Sequence, residues 1–220
     1  MIDNDMIVVE TKSECDAAII WMHGLGADGS DFPPTIPYLK LPEELAVRFM
    51  FPNAKEQAVT INGGFVMRSW YDILSMGNGR EINEAQLDVS IERISALITK
   101  QVESGIAPGR ILLIGFSQGG AVAYETGLSY IAKLGGVAAM STYLPRPIED
   151  INTAAESTMP ILSIHGKQDD VVPLSLGENA VKQLQMKGYH PDWQTFSMAH
   201  EVSIESLTVL GRWITERLSK

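Results

Sequence analysis

The stretch Ile111-Leu112-Leu113-Ile114-Gly115-Phe116-Ser117-Gln118-Gly119-Gly120 decides the fold. Its first four residues form a continuous apolar run of strand length, with none of the polar alternation that a half-exposed strand would show, so the strand is expected to be buried on both faces. Residues 118–131 then read as a helix, which makes Ser117 the turning point between strand and helix. A turn this tight strains the serine backbone and presses the positions two before and two after it together, where side chains would clash. Gly115 and Gly119 occupy those two positions. The Ser117 hydroxyl is thereby expected at the carboxyl end of a sheet, beside the positive N-terminus of a helix, where developing negative charge is favoured.

The same alternation extends in both directions. Residues 17–22 (AAIIWM), 47–51 (VRFMF), 137–140 (VAAM) and 161–164 (ILSI) are further short apolar runs bounded by Gly or Pro, and residues 7–10 read as an edge strand. Leu87, Ile91, Ile94, Ile98 and Val102 step by three or four, as do Ile204, Leu207, Leu210, Ile214 and Leu218, and each set makes the stripe of an amphipathic helix. Residues 174–187 read as one more helix. Strand and helix in alternation predict an α/β fold, a mostly parallel central sheet with helices on both faces. No repeat or linker divides the chain, so residues 1–220 read as a single domain. Residues 54–80 fit neither template and are expected to form a long irregular loop that walls or covers a pocket.

Composition narrows the partners. Seventeen Lys and Arg stand against 27 Asp and Glu across 220 residues, a formal net charge of −10, which opposes attraction to nucleic acid or anionic lipid. Cys15 is the only cysteine, so an internal disulfide, a cysteine-rich zinc site and a CxxC redox pair are all excluded. The acidic first residues do not resemble an export signal, and the longest apolar runs fall far short of the ~18 to 20 residues that cross a bilayer. A cytoplasmic protein without stable membrane insertion is expected.

A serine nucleophile needs a base, and the histidines are His23, His165, His190 and His200. The chain order nucleophile, acid, histidine that accompanies such a turn leaves His190 and His200, both after an acid in the Asp169 region. Only His200 falls on the carboxyl side of its strand, residues 192–197, which selects it. The third member should be a carboxylate that fixes the imidazole tautomer. Asp169 and Asp170 both follow the strand at 161–164, only one can face His200, and their positions do not choose between them. For the oxyanion, one backbone N–H should come from the residue after the nucleophile, Gln118, and one from the loop His23-Gly24-Leu25-Gly26, through Leu25. Gly24 to Gly29 also matches the dinucleotide fingerprint G-x-G-x-x-G. Asp28 would repel a pyrophosphate, Pro33 and Pro34 interrupt the required helix, and residues 47–53 end without an acid for a ribose, so nucleotide binding is set aside.

With the serine turn, the HGLGADG loop, the HGxxD loop and the late histidine assembled, the chain resembles the carboxylesterase and acyl-protein thioesterase (lysophospholipase-like) family of α/β hydrolases. Phe51-Pro52-Asn53, Ser69-Trp70-Tyr71-Asp72-Ile73 and Ser141-Thr142-Tyr143-Leu144-Pro145 carry the likeness as well, so it covers nearly the whole chain. The resemblance implies an α/β-hydrolase fold, with Ser117 as nucleophile, His200 as base, Asp169 as acid, and Leu25 and Gln118 as the oxyanion pair. It implies hydrolysis of small-molecule esters or acylated proteins without metal or cofactor, and a homodimer. Lys55 and Glu56 stand where relatives tend to be apolar or proline, which leaves substrate preference open.

Trp70, Ile73, Leu74, Met76, Tyr143 and Val171 are candidates for an apolar groove that binds the acyl chain, each buried methylene contributing ~0.8 kcal/mol; the alternative is that most of them are core. Two rival functions remain: a lysophospholipase acting on lipid monomers or micelles, which uses the same triad, and a non-catalytic ligand-binding relative, which keeps the fold but loses triad members, so that Ser117, Asp169 and His200 speak against it.

Overall fold

The computed structural model describes residues 5–76, 80–154 and 158–219. Along the chain the elements are β1 (Met6–Glu10), β2 (Ala17–Met22), β3 (Val47–Pro52), β4 (Glu56–Val59), β5 (Phe65–Arg68), β6 (Ile73–Met76), β7 (Arg80–Ile82), α1 (Glu84–Glu103), β8 (Ile111–Phe116), α2 (Gln118–Ser129), β9 (Gly136–Met140), β10 (Ile161–Gly166), α3 (Leu174–Met186), β11 (Asp192–Phe196) and α4 (Ile204–Leu218). The apolar runs pair side by side into a seven-stranded sheet in the order β1-β3-β2-β8-β9-β10-β11. Every neighbouring pair is parallel except β1 with β3, where the edge strand runs antiparallel.

Strand side chains alternate between faces, and β2 shows why its run carries no polar residue. Ala18, Ile20 and Met22 pack with Leu87, Ile94 and Ile98 of α1 and with residues of α2 and α3 on one face. Ala17, Ile19 and Trp21 pack on the other face with Leu207, Leu210, Trp213 and Ile214 of α4. Both faces are covered, so a polar side chain at any of these positions would be buried without water. The ends of the long helices follow from local chemistry. Asn83 accepts the Gln86 N–H at the start of α1, and Ser203 with Ser206 forms a reciprocal cap at the start of α4.

The segment 54–80 departs from the sequence expectation. Instead of one irregular loop it forms two antiparallel hairpins, β4 with β5 and β6 with β7. Strands of three or four residues with Phe65 and Val66 turned outward leave no clear alternation to read. Trp70 and Ile73 are buried. Gly77 and Gly79, counted in that loop, lie outside the described residues.

Candidate active site

β8 delivers Ser117 to the carboxyl edge of the sheet, and α2 leaves from the next residue. Ser117 has φ 54° and ψ −121°, a conformation that costs a non-glycine residue ~1 to 3 kcal/mol and must be held by its surroundings. Hydrogen bonds at its N–H and its carbonyl hold it. Its N–H donates to the Met140 carbonyl at 2.8 Å, and its carbonyl accepts the Gly120 N–H at 2.9 Å and the Thr142 hydroxyl at 2.7 Å. The flanking glycines are required by contact: a Cβ on Gly115 would stand 2.2 Å from the Gly119 carbonyl oxygen, and one on Gly119 would stand 2.5 Å from the carbonyl oxygens of His23 and Met22.

Asp169 follows β10, and His200 follows β11, the two strands beyond β9 in the sheet. The Ser117 Oγ to His200 Nε2 distance is 2.9 Å, and the His200 Nδ1 to Asp169 Oδ2 distance is 2.8 Å. A carboxylate only accepts, so Nδ1 carries the proton and Nε2 presents a lone pair to the serine hydroxyl. The other oxygen of Asp169 accepts the N–H groups of Val171 at 3.0 Å and Val172 at 2.7 Å. Of the two adjacent acids, Asp169 is buried and faces His200, while Asp170 is exposed. The Phe116 ring packs on the His200 imidazole with centroids 4.8 Å apart, a contact the sequence did not signal because Phe116 occupies an unspecified position of Gly-x-Ser-x-Gly.

None of the other three histidines touches Ser117 or His200 through a hydrogen bond, and His165 alone of them comes near Asp169, its Nε2 3.6 Å from Oδ2. His190 is exposed. His23 is buried; its Nδ1–H donates to the Gly24 carbonyl at 2.7 Å and its Nε2 accepts the Ala54 N–H at 2.9 Å. Burial holds its pKa below the usual imidazole value, so it remains a neutral strut beneath the Leu25 loop. His165, at the end of β10, is neutral for the same reason.

Leu25 and Gln118 line the same cavity as Ser117 and His200. Gln118 opens α2, where helix geometry gives the first backbone N–H groups no partner within the helix. Its side chain makes contacts that sequence reasoning missed. Oε1 accepts the Trp70 N–H at 2.8 Å and Nε2 donates to the Tyr71 carbonyl at 2.6 Å, which ties the Ser69–Asp72 segment to the serine turn. The Gly24 to Gly29 loop runs into a turn of 3-10 helix at Pro33–Leu39 where the dinucleotide fingerprint would need an α-helix. Among the described residues, no three His, Cys, Asp or Glu side chains are grouped to hold a metal ion.

The profile of the phospholipase/carboxylesterase family matches residues 3–217. The chain belongs to that family. It is 35% identical over 207 residues to acyl-protein thioesterase 1 homolog 1 of Dictyostelium discoideum, covering 93% of this chain and 92% of the relative. The crystal structure of SOBER1 from Arabidopsis thaliana superposes with a TM-score of 0.87 at 31% identity, over 92% of this chain and 99% of that one. Acyl-protein thioesterase 2 of Zea mays gives 0.84 at 26% identity, over 97% and 99%. As a member of the phospholipase/carboxylesterase family, the chain is a hydrolase enzyme with the α/β-hydrolase fold.

The cavity of this family member measures roughly 330 Å³, and only part of the expected groove lines it. Ile73, Met76 and Val171 are on its wall with Leu25, Ile61 and Phe116, but so are the polar Asp31, Asn62 and Arg80. Three expected residues are not. Trp70 is buried beside a different cleft, next to Lys55 and Arg93, and its indole N–H donates to the His23 carbonyl at 2.9 Å. Leu74 turns outward, as its place next to the inward Ile73 on β6 requires. The hairpin register shifts between Ile73 and Ser75, so this alternation does not carry through to Met76. Tyr143 is buried, its hydroxyl 2.8 Å from that of Tyr71, and the Arg80 guanidinium lies over its ring at 4.8 Å. Arg80 therefore reaches the cavity where Tyr143 was expected. Among the described residues, no helix is long and apolar enough to cross a membrane.

Proposed function

We propose that the chain is a serine hydrolase that cleaves carboxylic esters or thioesters of apolar acyl chains through a Ser117–His200–Asp169 triad and an acyl-enzyme intermediate. The observation that carries this reading is the unbroken series of contacts, 2.9 Å from Ser117 to His200 and 2.8 Å from His200 to Asp169, with Ser117 and His200 on the wall of a cavity that is partly apolar. His200 Nε2 takes the Ser117 proton as Oγ attacks the acyl carbon, and the imidazolium is stabilised by Asp169. The carbonyl oxygen becomes an oxyanion that accepts hydrogen bonds from the N–H groups of Leu25 and Gln118, each such donor lowering the barrier by ~3 to 4 kcal/mol. His200 returns its proton to the departing alkoxide or thiolate. Water then attacks the acyl-enzyme with His200 again as base, the acid is released, and the Ser117 hydroxyl is restored.

The names of the relatives, acyl-protein thioesterase and carboxylesterase, support the same substrate classes: an acylated protein or a small-molecule ester. The test is labelling by a fluorophosphonate probe together with turnover of acyl esters and acyl-protein thioesters. Wild type is expected to react with the probe and to hydrolyse at least one class, and Ser117→Ala to do neither. Wild-type levels of hydrolysis in Ser117→Ala would refute the reading.

A further inference from the structure

His165 opens the His165-Gly166-Lys167-Gln168-Asp169 loop and is spent by neither the nucleophile nor the base. Its Nε2 lies 2.8 Å from the Val172 carbonyl oxygen, and a carbonyl only accepts, so Nε2 carries the proton. The same nitrogen stands 3.6 Å from Asp169 Oδ2, the oxygen that faces His200. The opposite edge of the ring lies close against Gly177, where an added Cβ would come within 2.4 Å of Nδ1. The Val171 and Val172 N–H groups meanwhile both converge on Asp169 Oδ1. The loop is thus gripped from both sides at Val172: its N–H by the carboxylate and its carbonyl by the imidazole.

We propose that His165 is a positioning residue for the acid. Its N–H pins the Val172 carbonyl, which aims the two valine N–H groups at Oδ1 and leaves Oδ2 turned towards His200. This rests on the triad reading above. Three titratable groups surround the ring: Asp169 in its own loop, His200 in the loop after β11, and the exposed Glu178 on α3. The Trp193 ring of β11 lies 5.9 Å away. A neutral His165 is part of the arrangement, because an imidazolium beside Oδ2 would compete with His200 for one carboxylate oxygen. Burial keeps it neutral.

The experiment compares His165→Leu and His165→Asn, which remove the donor at the Nε2 position, with His165→Gln, whose amide nitrogen reaches it. Misplacing one member of a catalytic series by an ångström costs ~100-fold, so the Leu and Asn variants are expected to lose about 10- to 100-fold in kcat with KM changed less than about twofold. The acidic limb of the kcat/KM profile should move to lower pH in both, because an Asp169 turned aside stabilises the imidazolium less. The Gln variant should recover kcat and the wild-type limb. Unchanged kcat and limb in Leu or Asn, with only a lower Tm, would overturn the proposal. If neither variant folds, Gln decides: a wild-type profile supports the role, and a collapsed kcat at wild-type Tm overturns it. Ser117→Ala separates this from failure of the parent reading, since wild-type levels of hydrolysis there defeat the triad, whereas His165 variants with unchanged kinetics, in an enzyme that Ser117→Ala silences, defeat only the role of His165.

Discussion

His200 Nε2 lies 2.9 Å from Ser117 Oγ although 83 residues separate the two in the chain. The contact exists because β8 and β11 end on the same side of one parallel sheet, with β9 and β10 between them. Loops at that edge converge, and the chemistry of the site depends on how firmly each is held.

The two adjacent acids should separate cleanly. Asp169→Asn keeps the shape but presents an amide to His200 Nδ1, and the equivalent change in serine proteases lowers kcat ~10⁴-fold through the wrong imidazole tautomer. Asp170 is exposed, so Asp170→Asn is expected to stay within about twofold of wild type. Turnover of p-nitrophenyl butyrate by both variants checks this, and the reverse ranking would move the role by one residue.

Gly119→Ala is expected to destabilise by at least ~1 to 3 kcal/mol, since its Cβ would meet two carbonyl oxygens of the β2 end at 2.5 Å. Gly109→Ala is the control: no atom lies within 4 Å of its Cβ position. Urea denaturation should show a lower midpoint for the first variant and little change for the second.

Gln118→Ala retains the backbone N–H but releases Trp70 and Tyr71. The Tyr71 carbonyl and Trp70 N–H lose buried partners, at a cost of ~1 to 3 kcal/mol. Phosphonate labelling of Ser117 should persist while Tm falls. A variant with unaltered Tm would show that the Ser69–Asp72 segment does not depend on this clamp.

Acyl-chain preference follows from the cavity. Ile73, Met76 and Val171 offer apolar wall, so hydrolysis of p-nitrophenyl esters should rise from acetate to butyrate and beyond, each methylene adding up to ~0.8 kcal/mol of binding. A steady fall from acetate onwards would remove the acyl groove. Arg80→Met, which exchanges a charged wall residue for an apolar one, should steepen the rise.

Two buried histidines set an acid limit on stability. His23 and His165 both titrate below the usual value of 6.5 because burial disfavours their charged forms. The unfolded chain therefore takes up protons first. The stability these groups contribute is present above pH ~6.5 and is lost as pH falls through their folded values. Tm should decline as pH drops from 7 to 5, and His23→Asn, with one titrating ring removed, should have a shallower decline whatever its Tm at pH 8. Parallel curves would contradict the assignment.

The sheet was legible because strands buried on both faces cannot hide: residues 17–22, 111–114, 137–140 and 161–164 hold one polar side chain among them, Ser163, and the sheet contains all four. Ser117 was legible for a related reason, since only glycines fit the close approach of β8 to α2. The hairpins at 54–80 were not, because their strands are short and their contacts are local. Of the residues expected along an acyl groove, Ile73, Met76 and Val171 line the cavity and Trp70, Leu74 and Tyr143 do not, for a different reason. Whether an aromatic side chain lines a cavity or supports a neighbour depends on partners distant in sequence: Trp70 was claimed by the carbonyl of His23, and Tyr143 by Tyr71 and Arg80. The Gln118 clamp has no sequence period at all.

The sheet's polarity divides the molecule's obligations. One rim gathers Leu25, Ser117, Asp169 and His200, while the far rim, where β8 begins at Ile111, is fastened by Arg110 to Asp16 and to the Leu218 carbonyl. Sequence drift at that far rim is filtered only through durability, so thermal hardening of this enzyme can be sought there without retuning what it hydrolyses.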